Sequence, residues 1–101
     1  MKLNAEKIIE LLEKNSGEIS SYGVEELQLF GSYVRGENTE ESDVDLLVEF
    51  EKGRGGFDDY IGLKRFLEDI LEQEVDLVKK DKVREELREN ILGGERLGAK
   101  I

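Results

Sequence analysis

The sequence predicts an α/β (α+β) fold, in which helices pack against a small mixed sheet of three strands. Three segments alternate apolar and polar residues in the manner typical of strands, and they are Val24–Phe30, Val44–Phe50 and Val75–Val78. Between them, apolar residues recur at the spacing of amphipathic helices. The chain has 101 residues, enough for one modest core, so we expect residues 1–101 to form a single domain.

The first half of the chain predicts a helix, a strand and a short second helix. Asn4 is a good helix N-cap, and the apolar residues after it indicate a helix that ends near Gly17. The strand at 24–30 follows, although the same residues can also continue a helix. A short helix is expected at 32–35, and the polar residues 36–41 are turn-like.

The second half predicts two more helices around the remaining strands. A glycine-rich loop at 52–56 follows the strand at 44–50. The apolar stripe of the next helix consists of Tyr60, Leu63, Leu67, Ile70 and Leu71, and that of the last helix of Val83, Leu87 and Ile91. We expect Gly93 and Gly94 to end the last helix, and the tail from Glu95 onward to fray.

Composition limits the classes of function. Charged residues make up 40% of the chain and the formal net charge is −10, whereas binding to nucleic-acid phosphates needs clustered lysine and arginine. We therefore expect no nucleic-acid template as a partner. The absence of histidine and cysteine excludes disulfides, a Ser-His-Asp triad and the usual zinc sites. Any metal ion must be held by oxygen ligands, which favours Mg²⁺, Mn²⁺ or Ca²⁺.

The location of the protein is also predicted from what the sequence lacks. No apolar run approaches membrane-spanning length, and the first residues do not resemble the start of a signal peptide. The sequence therefore predicts a cytoplasmic protein with no membrane partner. An acidic surface suits a basic partner, or an anionic ligand that arrives with metal cations.

Two aspartates stand where a buried strand begins. Asp43 and Asp45 are two residues apart, so their side chains leave an extended backbone on the same face, about 7 Å apart. Carboxylates that close repel one another unless a divalent cation lies between them. Asp76 has similar apolar neighbours on the next strand, and parallel pairing would bring the three aspartates together. The intervening residues leave room for the crossover helix that such pairing requires.

A glycine–serine pair is expected to face these carboxylates. Gly31 and Ser32 follow the strand at 24–30, and antiparallel pairing through the 35–42 connection would bring them beside Asp43. Glycine lets a ligand approach the backbone closely, and serine offers a hydroxyl and an N–H at the start of a helix. Phosphate donors on one side and carboxylates on the other predict a site for a metal-bound nucleoside triphosphate.

These residues together resemble a known superfamily. Gly31-Ser32, then Asp43-Val44-Asp45 after ten intervening residues, and a later Asp76 resemble the nucleotidyltransferases built around the DNA polymerase β-type core. The short length and the stretches LFGSYVRG and SDVDLLVEF are similar to the minimal nucleotidyltransferases, which are MNT-type antitoxins paired with HEPN-domain toxins. The resemblance covers roughly residues 20 to 92.

The resemblance implies a nucleotidyl transfer that uses two Mg²⁺ ions. Asp43, Asp45 and Asp76 would be the catalytic and metal-binding residues, and Asp76 would also accept a proton. Gly31 and Ser32 would hold the phosphates. A nucleoside monophosphate moves to a hydroxyl, and pyrophosphate leaves. In MNT-type antitoxins the donor is usually ATP and the acceptor is a tyrosine of the HEPN-type toxin.

Several alternatives stay open at this point. Arg35 can contact phosphate, as part of the nucleotide-binding set, or pair with Glu37 and hold the loop. Ser32 can be a plain helix cap, and Asp76 can be the exposed residue of a half-buried strand. One rival function is a non-catalytic module that silences a toxin by contact. A second rival is a small-molecule nucleotidyltransferase, which usually carries a substrate-binding domain that 101 residues cannot accommodate.

Overall fold

A computed structural model describes residues 3–82 and 95–101 and shows helices packed against a four-stranded sheet. The helices are α1 (Ala5–Lys14), α2 (Ser16–Ser21), α3 (Ser32–Arg35) and α4 (Phe57–Leu71). The strands are β1 (Val24–Phe30), β2 (Val44–Phe50), β3 (Val75–Lys79) and β4 (Leu97–Ala99), with one 3₁₀ turn at Lys80–Lys82 after β3. Within these described residues, no helix has the length and apolar character that a membrane crossing requires.

The sheet is mixed, as the sequence predicts, and its strand order is β3-β2-β1-β4. β1 pairs with β2 antiparallel, and β2 pairs with β3 parallel. The predicted bounds of β1 and β2 are confirmed, and β3 is one residue longer than predicted. The helix α4 forms the crossover between the two parallel strands, which places their first residues at the same end of the sheet.

The expectation that the tail frays from Glu95 onward is wrong, and the sheet has four strands instead of three. Residues 97–99 pair antiparallel with β1, and Ala99 is buried against the core. The next residue continues the attachment, because the N–H of Lys100 donates to Glu13 on α1 over 3.0 Å. Three residues are too few to show the alternation by which strands are recognised in a sequence.

The first helix is shorter than predicted. Asn4 caps α1 as expected, since its side-chain oxygen accepts from the N–H of Lys7 over 2.7 Å. The helix does not continue to Gly17 but ends at Lys14, and α2 begins after Asn15. The side-chain amide of Asn15 donates to a carbonyl in the last turn of α1 over 2.8 Å. This bond competes with helix continuation, which is why asparagine is uncommon inside helices.

The core lies between the helices and one face of the sheet. The predicted stripe of α4 faces it, with Leu63, Leu67 and Leu71 buried and Tyr60 and Ile70 half-buried. The other fully buried core side chains are Ile8, Leu12, Ile19, Leu27, Leu29, Val44, Leu46 and Val48. Since side chains alternate along a strand, the intervening residues of β1, β2 and β3 point to the opposite face. The last predicted helix, with Val83, Leu87 and Ile91 and the terminating Gly93 and Gly94, lies outside the described residues.

The glycine-rich loop after β2 is anchored at the end of the sheet opposite to Asp43. Arg54 donates to both carboxylate oxygens of Asp59 over 2.9 Å and to the carbonyl of Ser21 over 3.0 Å. The N–H of Gly55 also donates to Asp59. These hydrogen bonds lower the pKa of Asp59 to about 2, and the bond from Arg54 has the largest effect. This end of the sheet is therefore braced by its own side chains.

Candidate active site

Three aspartates lie at one end of the sheet, on the face opposite to the core. The parallel register places Asp45 of β2 directly beside Asp76 of β3, so the predicted pairing of these two strands is confirmed. Asp43 precedes β2 and is two residues from Asp45, which directs both side chains to the same face. Asp43 and Asp76 are exposed, and Asp45 is half-buried. Asp45 therefore lies at the centre of the group.

The electrostatics of Asp45 show that these carboxylates are close enough to affect one another. Burial raises the pKa of Asp45, and the negative charges of Asp76 and Asp43 raise it further. The positive charge of Arg35 acts in the opposite direction. A crowded group of carboxylates is unfavourable without a counter-charge, and a bound cation would supply one.

The backbone of Gly31 lies directly against the side chain of Asp45. The residue before it, Phe30, is directly opposite Asp45 in the antiparallel register of β1 and β2. Gly31 has φ 78° and ψ −151°, a backbone conformation that essentially only glycine adopts. A Cβ atom at this position would overlap the Oδ2 atom of Asp45. Both the backbone conformation and the space therefore require glycine here.

Ser32 begins the short helix α3, as predicted. The carbonyl of Gly31 accepts from the N–H groups of Val34 and Arg35 over 3.2 and 3.3 Å, which closes the single turn. The N–H groups before these, at the start of the turn, have no acceptor within it and can serve a ligand. The carbonyl of Ser32 accepts from Glu37 over 2.9 Å, so the turn is also tied to the chain that follows.

Arg35 pairs with Glu37, which is one of the two alternatives that the sequence leaves open for this residue. Its Nε atom lies 3.0 Å from Oε2 of Glu37, and both side chains are exposed. An exposed ion pair contributes little to stability, so the pair can open at small cost. Arg35 is near enough to oppose the raised pKa of Asp45, and its contact with a phosphate stays a prediction.

Two residues near Asp43 were not singled out from the sequence. Tyr33 is only 5% exposed, and its pKa is raised by burial and then by the charge of Asp43. The side-chain amide of Gln73 donates to the carbonyl of Ser42 over 2.6 Å and so fixes the residue before Asp43. An aromatic residue in a short helix and a glutamine in a turn carry no local signal for these positions.

The donor set is suited to Mg²⁺ shared with a substrate. Within residues 3–82 and 95–101, no three acidic side chains are close enough together to enclose a metal ion by themselves. Mg²⁺ in phosphate-transfer sites is commonly bound through one or two carboxylates, with water and substrate phosphates as its other ligands. The carboxylates of Asp43, Asp45 and Asp76 offer only oxygen, and their mutual repulsion favours a cation beside Asp45. The residues therefore fit a metal ion that arrives with a nucleotide.

Comparison with known proteins identifies the family. The family described as nucleotidyltransferase domain matches residues 5–96. The chain is 40% identical to the protein adenylyltransferase MntA of Thermococcus cleftensis over 91 residues, which cover 89% of this chain and 91% of that protein. It is 43% identical to a candidate protein adenylyltransferase of Methanocaldococcus jannaschii over 79 residues, or 76% of this chain and 79% of that protein.

Solved structures show the same likeness. A structure described as a candidate minimal nucleotidyltransferase has a TM-score of 0.77 and 36% identity, and the match covers 91% of this chain and 93% of that one. A toxin–antitoxin crystal structure with AMP-PNP has a TM-score of 0.67 and 26% identity, with 97% and 73% of the two chains covered. The resemblance to minimal nucleotidyltransferases is confirmed: the chain belongs to the nucleotidyltransferase domain family and is an enzyme of that class.

Proposed function

We propose that this nucleotidyltransferase is an antitoxin that uses Mg²⁺ and ATP to adenylylate a tyrosine of a HEPN-type toxin. The observation that carries the proposal is the pairing of Asp45 with Asp76 against the backbone of Gly31. Relatives of similar length are named protein adenylyltransferases, and a toxin–antitoxin structure of this fold contains AMP-PNP. These names and that ligand support a protein acceptor and an adenine nucleotide.

Different residues of the site bind the phosphates and the metal ions. Ser32 and the start of α3 hold the outer phosphates, while Gly31 lets them approach the backbone. The carboxylates of Asp43, Asp45 and Asp76 hold the cations. When bound, Mg²⁺ neutralises phosphate charge and lowers the pKa of the acceptor hydroxyl.

The exposure of Asp76 supports a role for it in receiving the acceptor. β3 is an outer strand of the described sheet and Asp76 is exposed, so a side chain of another protein can reach it. Asp76 takes the hydroxyl proton as the acceptor oxygen bonds to the α-phosphorus. The bond from the α-phosphorus to the bridging oxygen then breaks, and its electron pair leaves with pyrophosphate.

We expect the acceptor to come from a partner. Tyr33 is the tyrosine next to the aspartates, but it is only 5% exposed and its pKa is raised by burial and by the charge of Asp43, so its hydroxyl is not easily deprotonated. The hydroxyl of Tyr60 donates to the carbonyl of Leu77 over 2.6 Å, on the core face of β3. A tyrosine presented by a toxin at the exposed carboxylates satisfies the geometry better than either of these.

The first test is transfer to the partner. We expect the purified toxin, incubated with this protein, ATP and Mg²⁺, to gain the mass of AMP on a tyrosine, as located by peptide mass spectrometry. Asp76→Ala should abolish the added mass, because the proton acceptor and a metal ligand are both lost. Asp69→Ala is the matched control, since Asp69 is an exposed aspartate on α4, which packs on the core face of the sheet, opposite to the three aspartates.

One outcome of this test supports the rival function instead. If the complex forms and silences the toxin equally well with Asp76→Ala, and no mass is added to either protein, the chain acts as a binding module. A mass added to a small molecule and not to the toxin would favour the small-molecule nucleotidyltransferase.

The second test concerns the metal ion. We expect calorimetry to show weak binding of Mg²⁺ alone and clear binding of ATP when Mg²⁺ is present, because the phosphates supply the missing ligands. ATP affinity should fall at least about tenfold in excess chelator, since the triphosphate then faces the carboxylates without a counter-charge. Equal ATP affinity with and without chelator would contradict the carboxylate–metal arrangement.

A further inference from the structure

Arg96 lies on the same face of the sheet as the three aspartates. It immediately precedes β4, and its Nη1 atom donates to Oε1 of Gln28 on β1 over 3.0 Å. Gln28 is opposite Leu47 in the register of β1 and β2, two residues along from the pair Phe30 and Asp45. Since residues two apart on a strand share a face, Gln28 and Asp45 point to the same side.

A second hydrogen bond fixes the side chain of Gln28 that Arg96 contacts. The side-chain amide of Gln28 donates to Oε1 of Glu26 over 2.7 Å, which turns its oxygen towards Arg96. Arg96 is half-buried, unlike the exposed residues around it. Its position on the face is therefore defined by the structure of β1 and not only by the chain that leads into β4.

The register places the backbone of Arg96 near the glycine–serine turn, while its guanidinium is bonded to Gln28, two residues before Phe30 on β1. β4 pairs Leu97 with Leu29, and the same antiparallel pairing continued by one residue sets Arg96 opposite Phe30. Phe30 has Asp45 as its partner on the other side. Neighbouring strands are about 4.8 Å apart, so the backbone of Arg96 lies about 10 Å from that of Asp45, across β1. The turn at Gly31 comes directly after Phe30, between the two.

We propose that Arg96 binds the terminal phosphates of the nucleoside triphosphate and stabilises the pyrophosphate as it leaves. The inference rests on the proposed function, because it assigns a binding residue to the terminal phosphates of the same nucleotide. Negative charge grows on the pyrophosphate as the bond to the α-phosphorus breaks, and a guanidinium can meet two phosphate oxygens at once. In so acidic a protein, a cation on this face offsets the repulsion between carboxylates and phosphates.

The test compares ligands that differ only in their phosphates. We would measure the binding of ATP, AMP and inorganic tripolyphosphate, each with Mg²⁺, to the wild-type protein and to Arg96→Met, which keeps the apolar stem of the side chain. ATP and tripolyphosphate should bind about 10- to 100-fold more weakly to the variant, and AMP should bind equally well. Arg96→Lys should recover part of the loss, since it keeps the charge but not the planar fork.

Kinetics and a matched control separate this role from a structural one. Arg96→Met should also lower kcat for transfer to the partner, because the contact strengthens as pyrophosphate departs. Arg65→Met removes the same charge from an exposed position on α4, and we expect it to change none of these values. An equal loss for ATP and AMP, with a lower Tm, would assign Arg96 to folding alone and overturn the inference.

The remaining outcomes are also decisive. Unchanged binding of ATP and tripolyphosphate to Arg96→Met overturns the inference, as does a wild-type protein that binds neither ligand. If the wild-type protein binds both ligands but transfers no AMP to the partner, the proposed function fails. The ratio of ATP to AMP affinity in Arg96→Met still decides the role of Arg96 in that case.

Discussion

Asp45→Asn is expected to abolish nucleotide transfer while leaving the ligand-free protein as stable as before, or more stable. The change keeps the shape of the side chain and removes the central carboxylate of the site. Loss of activity should be at least about a thousandfold, as for other groups that act only through charge at the reacting centre. We expect the same loss of transfer for Asp43→Asn, since it removes the neighbouring carboxylate.

The effect on stability follows from the raised pKa of Asp45. In the folded protein its carboxyl holds a proton to a higher pH than the ordinary value of 3.8. As the pH rises through the raised pKa, the unfolded chain is already ionised and the folded state loses stability relative to it. Asp45→Asn removes this penalty, so the variant should be more stable than the wild-type protein at neutral pH. This difference in stability should vanish below the ordinary pKa of aspartate.

Thermal melts in chelator at neutral and acidic pH, run beside the transfer assay, measure both effects. Asp69→Asn serves as the control for removing an exposed carboxylate elsewhere, and it should leave the transfer activity unchanged. Full transfer activity in Asp45→Asn would sink the assignment of the site. A variant that is less stable than the wild-type protein at neutral pH would contradict the expected repulsion between the carboxylates.

Gly31→Ala is expected to reduce both stability and activity. The backbone conformation alone should cost about 1–3 kcal/mol for a residue with a Cβ atom. The added methyl group must also displace the carboxylate of Asp45, which it would overlap. A displacement of this kind at the reacting centre should lower transfer about a hundredfold or more.

Gly36→Ala is the matched control for this substitution. Gly36 also has a positive φ, 72°, but a Cβ atom there would meet nothing within 4 Å. We expect it to lose roughly 1–2 kcal/mol of stability and to keep its activity. Denaturant unfolding and the transfer assay separate the two effects. If Gly31→Ala and Gly36→Ala behave alike in both, the contact between Gly31 and Asp45 is unimportant.

Much of the fold is predictable because its signals are local. The alternation in β1 and β2 is strong enough to predict their ends, and a crossover of suitable length predicts that β2 and β3 are parallel. The break after α1 is less visible. It depends on whether the side chain of Asn15 bonds to its own helix, and the apolar pattern alone does not decide this.

The residues of the candidate site also differ in how well the sequence predicts them. Asp43, Asp45, Asp76 and Gly31 are predictable because each is at the end of a strand with a clear pattern. Arg96 is not, because its place on the face depends on a three-residue strand whose partner is far away in the sequence. Local patterning carries no information about such a pairing, since it is decided by which edge of the finished sheet is open.

The distance that β4 spans affects the order in which the protein folds. β1 and β2 are joined by a short connection, whereas Gln28 and Arg96 are 68 residues apart in the sequence. Closing that longer loop costs more conformational entropy and yields only three paired residues, of which Leu97 is 42% exposed. β4 should therefore dock late, and separate first when the native protein fluctuates. Each separation would carry Arg96 away from the turn at Gly31, so a bound triphosphate would hold the last strand in place and slow its opening.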